Sequence, residues 1–395
     1  MLKKALQRLR LFNPLLFVCM AVLIVIGVLF IYSSCSVRED PSVRMLYMRH
    51  VEAAVLGLAA YAAAACVNYR RVLAWGWLVY AGVLVLLVLV LIPHFGVERM
   101  GARRWLPFGR VQPSELAKLA IIMVLAWLYG RRGARRGAKV FFLTLLLVGV
   151  PAALILKQPD LGTALVLVPT VLCMMFAANV APRLLWTMVL VGGVGAGLLL
   201  GVIYAAERED LTPERRKALI KMTCLRDHQV GRLQVFLFPD RDLLGNGYNR
   251  WQSEMAVGSG GLRGKGYLKG EQYSLGYLPP SVSSNDFIFA VLAEEAGFVG
   301  SLTVLLLFLA LLWAGLWVAF RCRDDRGRLF CVGVVALVFS HTFINIAMTI
   351  GQMPITGLPL PFISSGGTFL LVLMAALGLV QSVSMYGREE ERRFK

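Results

Sequence analysis

Long apolar runs alternate with short polar segments along most of this chain. A run of about 18 or more apolar residues is long enough to cross a bilayer as a helix. About ten transmembrane helices are predicted on this basis, at 14–34, 49–68, 72–93, 114–130, 140–157, 161–180, 184–206, 290–320, 328–350 and 364–386. We therefore expect an all-α polytopic membrane protein that forms one transmembrane domain over residues 1–395.

Composition and charge support this interpretation and suggest an orientation. Of the 395 residues, 58% are hydrophobic and only 16% are charged, whereas soluble domains are roughly a quarter charged. With a cytoplasmic amino terminus, the short segments on the cytoplasmic side are 1–13, 69–71, 131–139, 181–183, 321–328 and 387–395. They hold 20 Lys and Arg against 5 Asp and Glu, which is most of the net charge of +18. The positive-inside rule then places both termini in the cytoplasm, and a nucleic-acid partner is not expected.

One connection is much longer than the others. Residues 207–285 form a polar extracytoplasmic loop between the seventh and eighth predicted helices. The loop begins with "EREDLTPERRKALIKM", which predicts an exposed amphipathic or interfacial helix, and ends in a stretch rich in glycine, aromatic and basic residues. Glycines would let backbone N–H groups approach an anion there, and Arg and Lys can clamp phosphate. A flexible loop is the alternative interpretation.

Charged residues inside the predicted spans are candidates for function, because a charge at mid-membrane is costly and should be paired or hydrated. Glu115 and Lys118 are three residues apart and therefore share one helix face. Asp160, Glu294 and Glu295 are interpreted as internal ion pairs that fix helix packing.

Three unusual segments are predicted to meet on the outer face. Asp286 joins the long loop to the eighth helix, where it is either a helix N-cap or a reactive carboxylate at the level of lipid head groups. The positive charge of "GARRWLPFGRVQPSELAKLA", which starts at residue 101, predicts contact with an anionic head group. The segment "GQMPITGLPLPFISSGG", at 351–367, is too rich in proline and glycine to cross lipid as open backbone, so it should line an outward-facing pocket.

Metal and disulfide signals are weak. The sequence has no CxxC, HExxH or nucleotide-binding glycine pattern, and its four histidines are scattered, so a dedicated transition-metal site is not expected. Of seven cysteines, only Cys35 and Cys224 are predicted to face outward. A disulfide between these two stays open.

Five ordered blocks resemble the signatures of the SEDS family, the RodA, FtsW and SpoVE proteins of bacterial cell-wall synthesis. The blocks are "GARRWLPFG...QPSELAKLA", "KQPDLGTAL", "GYNRWQSEMAVGSGGLRGKG", "NDFIFAVLAEEAGFVG" and "GLPLPFISSGG". The resemblance spans nearly the whole chain, and "INIAMTIGQMPITGLPLPF" is more similar to the RodA branch than to FtsW. Two features depart from the family pattern: "PSVSSN" precedes Asp286, and Ser365 stands where a tyrosine is common.

The resemblance implies a peptidoglycan glycosyltransferase that polymerises lipid II into glycan strands, with a RodA-like role in cell elongation and shape. It implies that Asp286 is the catalytic base with Lys118 nearby, and we expect Lys118 to be catalytic as well, by orienting Asp286 and keeping it ionised. The residues expected to bind substrate are Arg103, Arg104, Trp105, Glu115, Gln252, Ser253, Arg263, Lys265, Ser364 and Ser365. It also implies a class B penicillin-binding protein as partner, contact with membrane lipids, and a location in the bacterial cytoplasmic (inner) membrane.

Other functions remain open at this point. No protein metal site and no organic cofactor are predicted, although a divalent cation such as Mg²⁺ or Mn²⁺ could share the charge of a leaving diphosphate. The alternatives are a transporter that flips lipid II, an FtsW-like role in division, and a scaffold that recruits partners. A transporter needs a polar path through both leaflets, whereas the unusual segments crowd one face, which favours an enzyme.

Overall fold

Helices make up nearly all of the regular structure in the computed structural model, which describes residues 11–36, 41–93, 95–99, 102–106, 111–130, 137–208, 212–223, 225–241, 245 and 247–387. The first eight helices in chain order are α1 (Pro14–Ser36), α2 (Pro41–Cys66), α3 (Tyr69–Ala74), α4 (Gly76–Leu91), α5 (Pro113–Tyr129), α6 (Ala138–Lys157), α7 (Leu161–Ala177) and α8 (Pro182–Ala206). The next eight are α9 (Pro213–Met222), α10 (Asp227–Leu237), α11 (Tyr248–Ser259), α12 (Glu271–Ser274), α13 (Pro280–Ser283), α14 (Ile288–Arg321), α15 (Asp325–Thr349) and α16 (Gly367–Tyr386).

Each of the ten predicted spans coincides with one of the longer helices. Among the described residues, α1, α6, α8, α14, α15 and α16 are long and apolar enough to cross a membrane, and α4 and α7 are shorter apolar helices. The prediction of a helical multi-pass membrane protein is therefore confirmed. Much of the basic sequence that sets the orientation lies outside the described residues, so the sidedness of the termini stays a prediction.

The most buried helices are α5, α15 and α16. Helix α16 packs along α2, and α15 packs against α5, α7 and α14. Close approach depends on small residues, as is usual between helices in lipid. A Cβ on Gly378 of α16 would lie 2.4 Å from the carbonyl oxygen of Tyr61 on α2. Most side chains of α8, by contrast, are exposed.

The 207–285 segment is folded rather than a flexible loop, because it contains helices α9 to α13. The predicted amphipathic helix is present as α9, and none of its side chains is buried. Arg250 of α11 anchors the segment to the bundle. Its guanidinium donates to the Val235 carbonyl of α10 and to the Gly351 carbonyl just beyond α15, each at 2.9 Å. We call the end of the bundle that carries this segment the loop end.

Helix α14 is broken at Gly297, whose φ of 65° and ψ of −163° are not helical. The glycine-rich stretch of the loop fills this break. The Lys265 and Gly266 N–H groups each donate, at 3.0 Å, to the carbonyls of Glu294 and Glu295. The sequence predicted that backbone N–H groups of this stretch would approach an anion. For the N–H groups of Lys265 and Gly266 this is wrong, because they complete the hydrogen bonding of α14 instead.

A two-stranded hairpin, which the sequence did not predict, precedes α5. Strands β1 (Val97–Arg99) and β2 (Ala102–Trp105) run antiparallel, with Val97 opposite Trp105. The hairpin carries Arg104 toward the turn between α6 and α7, where its Nε donates to the Gln158 carbonyl at 3.1 Å. The Arg103 side chain and Arg110 lie outside the described residues.

Candidate active site

Asp286 lies at the loop end, two residues before α14 begins. The N-cap interpretation is wrong, because the N-cap position of α14 is Phe287 and its cap makes no side-chain hydrogen bond. The carboxylate faces Gly357, where a Cβ would lie 3.5 Å from Asp286 Oδ2 and 3.8 Å from Arg232 Nη1. The Asp286 carboxylate and the Arg232 guanidinium therefore both lie beside Gly357, where a glycine brings no side chain of its own.

Burial raises the pKa of Asp286 to about 6, although the guanidiniums of Arg232 and Arg104 act to lower it. A carboxylate accepts protons most effectively when its pKa is close to the working pH. This group is ionised in most molecules at neutral pH and is still basic enough to take a proton. Its environment thus fits a general base.

Arg232 and Arg104 act on the Asp286 carboxylate, and together with Arg226 they also act on His228 of α10. The pKa of His228 is lowered first by burial and then by the charges of Arg232, Arg226 and Arg104. Such a lowering means that the three guanidiniums act on one small region. A positive region beside a carboxylate suits an anionic ligand that carries a reacting hydroxyl nearby.

Backbone carbonyls hold these guanidiniums in place. Arg232 donates to the Ile355 carbonyl at 3.3 Å, and Arg226 donates to the Lys157 carbonyl at 3.3 Å. Arg104 binds the Pro159 carbonyl at 2.5 Å as well as that of Gln158. Carbonyl partners fix the position of a guanidinium without neutralising its charge. Besides Asp286, the acids that act on the same region are Asp160, on Arg232, and Asp227, on His228.

Lys118 belongs to a buried network inside the bundle. The pair predicted from its spacing is confirmed, since its Nζ lies 2.7 Å from Glu115 Oε2. The same Nζ lies 2.9 Å from His341 Nε2, and the other ring nitrogen lies 3.3 Å from the Pro359 carbonyl. An ammonium has no acceptor atom, so His341 must accept at Nε2 and donate from Nδ1. Lys118 therefore reaches the 351–367 segment through His341.

Ser364 and Ser365 lie next to the candidate base. Ser364 Oγ donates to the Asn285 carbonyl at 2.5 Å, and Ser365 Oγ donates to Asn285 Oδ1 at 3.1 Å. Asn285 immediately precedes Asp286. The two places where the sequence departs from the family pattern, Asn285 and Ser365, are thus in direct contact.

Other residues with a predicted substrate role sit in structural contacts. Ser253 of α11 is buried and donates to the Thr349 carbonyl at 2.8 Å, and Gln252 beside it is also buried. Trp105 is partly buried at the end of β2, and Arg263 is exposed beside the break in α14. Their roles toward substrate stay predictions.

Lys265 takes part in one of the predicted internal ion pairs. Its Nζ lies 2.8 Å from Glu294 and 3.0 Å from Glu271. For Asp160 and Glu295 the structure shows hydrogen bonds in place of the predicted internal ion pairs. Asp160 caps α7 by accepting from the Thr163 N–H at 3.1 Å. Glu295 accepts from the hydroxyls of Ser33 and Tyr273. Cys224, one half of the possible disulfide, lies outside the described residues.

The site residues that the sequence interpretation missed are Arg226, Arg232, His341 and Asn345. His341 and Asn345 are polar residues four apart in an apolar span, a spacing that could have marked them as one functional helix face. Arg232 lies in an ordinary amphipathic stretch. Only the docking of the long loop brings it to Asp286.

Comparisons with known proteins agree with this architecture. Residues 13–389 match the FtsW, RodA and SpoVE family, described as cell cycle protein. The chain is 38% identical to the peptidoglycan glycosyltransferase MrdB of Escherichia coli strain K12 over 310 residues, 78% of either chain. It also resembles a chain of a solved peptidoglycan synthase complex that coordinates polymerization and crosslinking, with a TM-score of 0.74, 30% identity and coverage of 96% and 99%.

A crystal structure of the rod shape determining protein RodA of Thermus thermophilus is similar as well, with a TM-score of 0.66 and 28% identity. That match covers 96% of this chain and 98% of the Thermus chain. The bundle is thus that of a polytopic membrane protein of bacterial cell-wall synthesis. The chain belongs to the FtsW/RodA/SpoVE family, as its five sequence blocks predicted.

Proposed function

We propose that this protein is a RodA-like peptidoglycan glycosyltransferase, which polymerises lipid II at the outer face of the bacterial cytoplasmic membrane. The observation that carries the proposal is a carboxylate with a near-neutral pKa, Asp286, facing Arg232 and Arg104 at the loop end. Its similarity to MrdB and to RodA supports the same activity and favours a role in elongation over an FtsW-like role in division.

In the proposed reaction, Asp286 acts as the general base. The acceptor sugar hydroxyl attacks the anomeric carbon of the donor glycan while Asp286 takes its proton. The bond from that carbon to the diphosphate oxygen breaks, and undecaprenyl diphosphate leaves with the electron pair. Direct displacement inverts the anomeric centre and gives a β-linked strand. The base takes part in the same step that forms the new bond.

The arginine cluster would stabilise the leaving diphosphate. Arg104, Arg226 and Arg232 are held by carbonyls before substrate arrives, and preorganised charge of this kind lowers the barrier without reorganisation. A divalent cation could share this role. In the described part of the chain, no group of three or more His, Cys, Asp or Glu is arranged to hold a metal, so the arginines are the cations on which the proposal relies.

Lys118 would support this site from inside the bundle rather than by touching the base. Its ammonium orders His341, and His341 in turn binds the Pro359 carbonyl. Pro359 lies two residues beyond Gly357, which faces the carboxylate. Loss of Lys118 would therefore disturb the wall of the site as well as leave Glu115 unpaired.

A class B penicillin-binding protein is the proposed partner. The support is the similarity to a chain of a synthase complex that coordinates polymerization and crosslinking. A polymerase at the membrane surface supplies the strands that a transpeptidase crosslinks, so the two activities belong together.

The decisive experiment measures glycan strands made from fluorescent lipid II by protein in detergent, with and without the class B partner. Without a sealed compartment, new polymer requires catalysis and not transport. We expect Asp286→Asn to reduce the rate by at least about 100-fold, the lower range for losing a general base. Asp240→Asn, at an exposed position of the loop, is the matched control. A parental rate in Asp286→Asn would contradict the assignment of the base.

A further inference from the structure

Asn345 of α15 is fully buried, and its side chain clamps two separate backbone segments. Its Nδ2 donates to the Asp286 carbonyl at 2.8 Å and to the Leu358 carbonyl at 2.7 Å. An amide nitrogen has two hydrogens, so both are used. Rotating the amide would place Oδ1 against two carbonyl oxygens, and the chemistry of the partners therefore fixes its orientation.

The two carbonyls belong to the two sides of the candidate active site. Asp286 leads into α14, while Leu358 directly follows Gly357, the residue that faces the Asp286 carboxylate. The same segment also holds Arg232 through the carbonyl of Ile355. Asn345 thus ties the backbone of the base to the segment that positions its neighbouring cation.

His341 reinforces this arrangement one helical turn earlier on α15. It contacts the carbonyl of Pro359, the residue after Leu358. Two side chains four residues apart on one helix face therefore bind two consecutive carbonyls. This match fixes the register of the 351–367 segment against α15, and of these two side chains it is Asn345 that also binds the Asp286 carbonyl.

We propose that Asn345 is a positioning residue for the general base: it holds the Asp286 backbone at a set distance from the Gly357 segment, so that the carboxylate points at the acceptor hydroxyl. The inference rests on the proposed glycosyl transfer. Asn345 itself does not contact the Asp286 carboxylate in the structure, so its effect on the reaction would pass through the backbone.

A positioning role predicts a selective kinetic defect. Without the clamp, the Asp286 carbonyl loses its tie to the Leu358 carbonyl, and the hydrogen bonds of Ser364 and Ser365 to Asn285 are left to hold the two segments together. The arginines that bind the diphosphate keep their own carbonyl partners. Small displacements of a reacting group cost far more in turnover than in substrate binding. The loss should therefore fall on kcat and leave KM nearly unchanged.

The test compares Asn345→Leu, which keeps the size and removes both donors, with Asn345→Ser, which can donate one hydrogen bond. Thr342→Val is the control on the same helix. Thr342 is also buried, but its hydroxyl donates only to the Val338 carbonyl of its own helix, at 2.9 Å. Each variant is purified in detergent, checked by thermal unfolding, and assayed for lipid II polymerisation over a range of substrate concentrations.

We expect kcat of Asn345→Leu to fall by about 100-fold and that of Asn345→Ser by about 10-fold, each with KM within about 2-fold of the parent. Thr342→Val should keep the parental kcat. Should Asn345→Leu not fold, Asn345→Ser decides by itself.

The inference is overturned if folded Asn345 variants keep the parental kcat, or if kcat falls only in proportion to the folded fraction. Including Asp286→Asn separates the two levels of the argument. Inactive Asp286→Asn together with fully active Asn345 variants refutes the clamp alone, whereas active Asp286→Asn refutes the proposed base.

Discussion

Arg232 favours the ionised form of Asp286 against the effect of burial, so replacing it should move the pH dependence of the enzyme. The substitution Arg232→Gln removes the cation and keeps a polar side chain of similar reach. Both groups lie within 4 Å of the same point beside Gly357, and they act on each other electrostatically. The acid limb of the activity profile, which reports protonation of the base, is the quantity to follow.

The expected magnitude follows from Coulomb's law. The distances of 3.5 Å and 3.8 Å to that point put the two groups at most about 7 Å apart. At that separation, two unit charges interact by roughly 0.6 kcal/mol in water and by roughly 2.4 kcal/mol at an effective dielectric constant of about 20. These energies correspond to changes in pKa of about 0.4 to 1.7. Asp286 is only partly buried, so a value near the middle, about one, is expected.

The sign is set by the charge of the arginine. Arg232 stabilises the ionised carboxylate and lowers its pKa, so its removal raises the pKa from about 6. Activity then begins to fall at a higher pH as the solution is acidified. The parent should lose half of its kcat/KM near pH 6, and Arg232→Gln near pH 7.

The assay is kcat/KM for lipid II polymerisation in detergent from about pH 5 to 8, because this ratio reports groups of the free enzyme. Arg241→Gln is a suitable control, since Arg241 is exposed and lies near Glu207 rather than Asp286. An acid limb at the same pH in parent and Arg232→Gln, with measurable activity in both, would refute the electrostatic argument.

Two further substitutions test the frame that supports the site. Gly264→Ala should lower the thermal unfolding temperature, because its Cβ would lie 2.0 Å from the Glu295 carbonyl, whereas Gly258→Ala meets nothing within 4 Å and should be neutral. Equal stability of the two variants would contradict the role given to the glycines. Lys118→Met should destabilise the protein by about 3–5 kcal/mol, because it leaves Glu115 buried without its cation. Adding Glu115→Gln should recover part of this loss of stability. If the double variant recovers none of it, the broken ion pair is not the cause.

Local patterns predicted the parts of this protein that depend on local chemistry. Apolar length alone located the long helices of the bundle, of which six in the described part of the chain could cross a membrane, and a spacing of three residues predicted the Glu115–Lys118 pair. The break at Gly297 was not predicted, because a single glycine inside an apolar run looks the same whether or not the helix continues. What breaks the helix is a distant loop that offers its own N–H groups.

The candidate site was only partly visible for the same reason. Asp286 stood out because it lies where the long basic loop meets an apolar helix, at the level expected for lipid head groups. Arg232 did not, because its sequence neighbours form an unremarkable amphipathic helix, and its position is set by tertiary docking. Lys265 was predicted to serve a diphosphate from its charge alone, and its ion pair with buried Glu294 could not be inferred without knowing that the loop folds back onto α14.

The hydrogen bonds that the glycine-rich stretch makes to the broken helix α14 have a consequence for biosynthesis. The glycine stretch precedes α14 in the chain and therefore leaves the ribosome first. When the part of α14 before Gly297 is synthesised, the Lys265 and Gly266 N–H groups that complete its backbone hydrogen bonds, and the Lys265 ammonium that pairs with Glu294, are already present. A circular permutation that placed the glycine stretch after α14 would reverse this order and expose a buried acid and open carbonyls during membrane insertion.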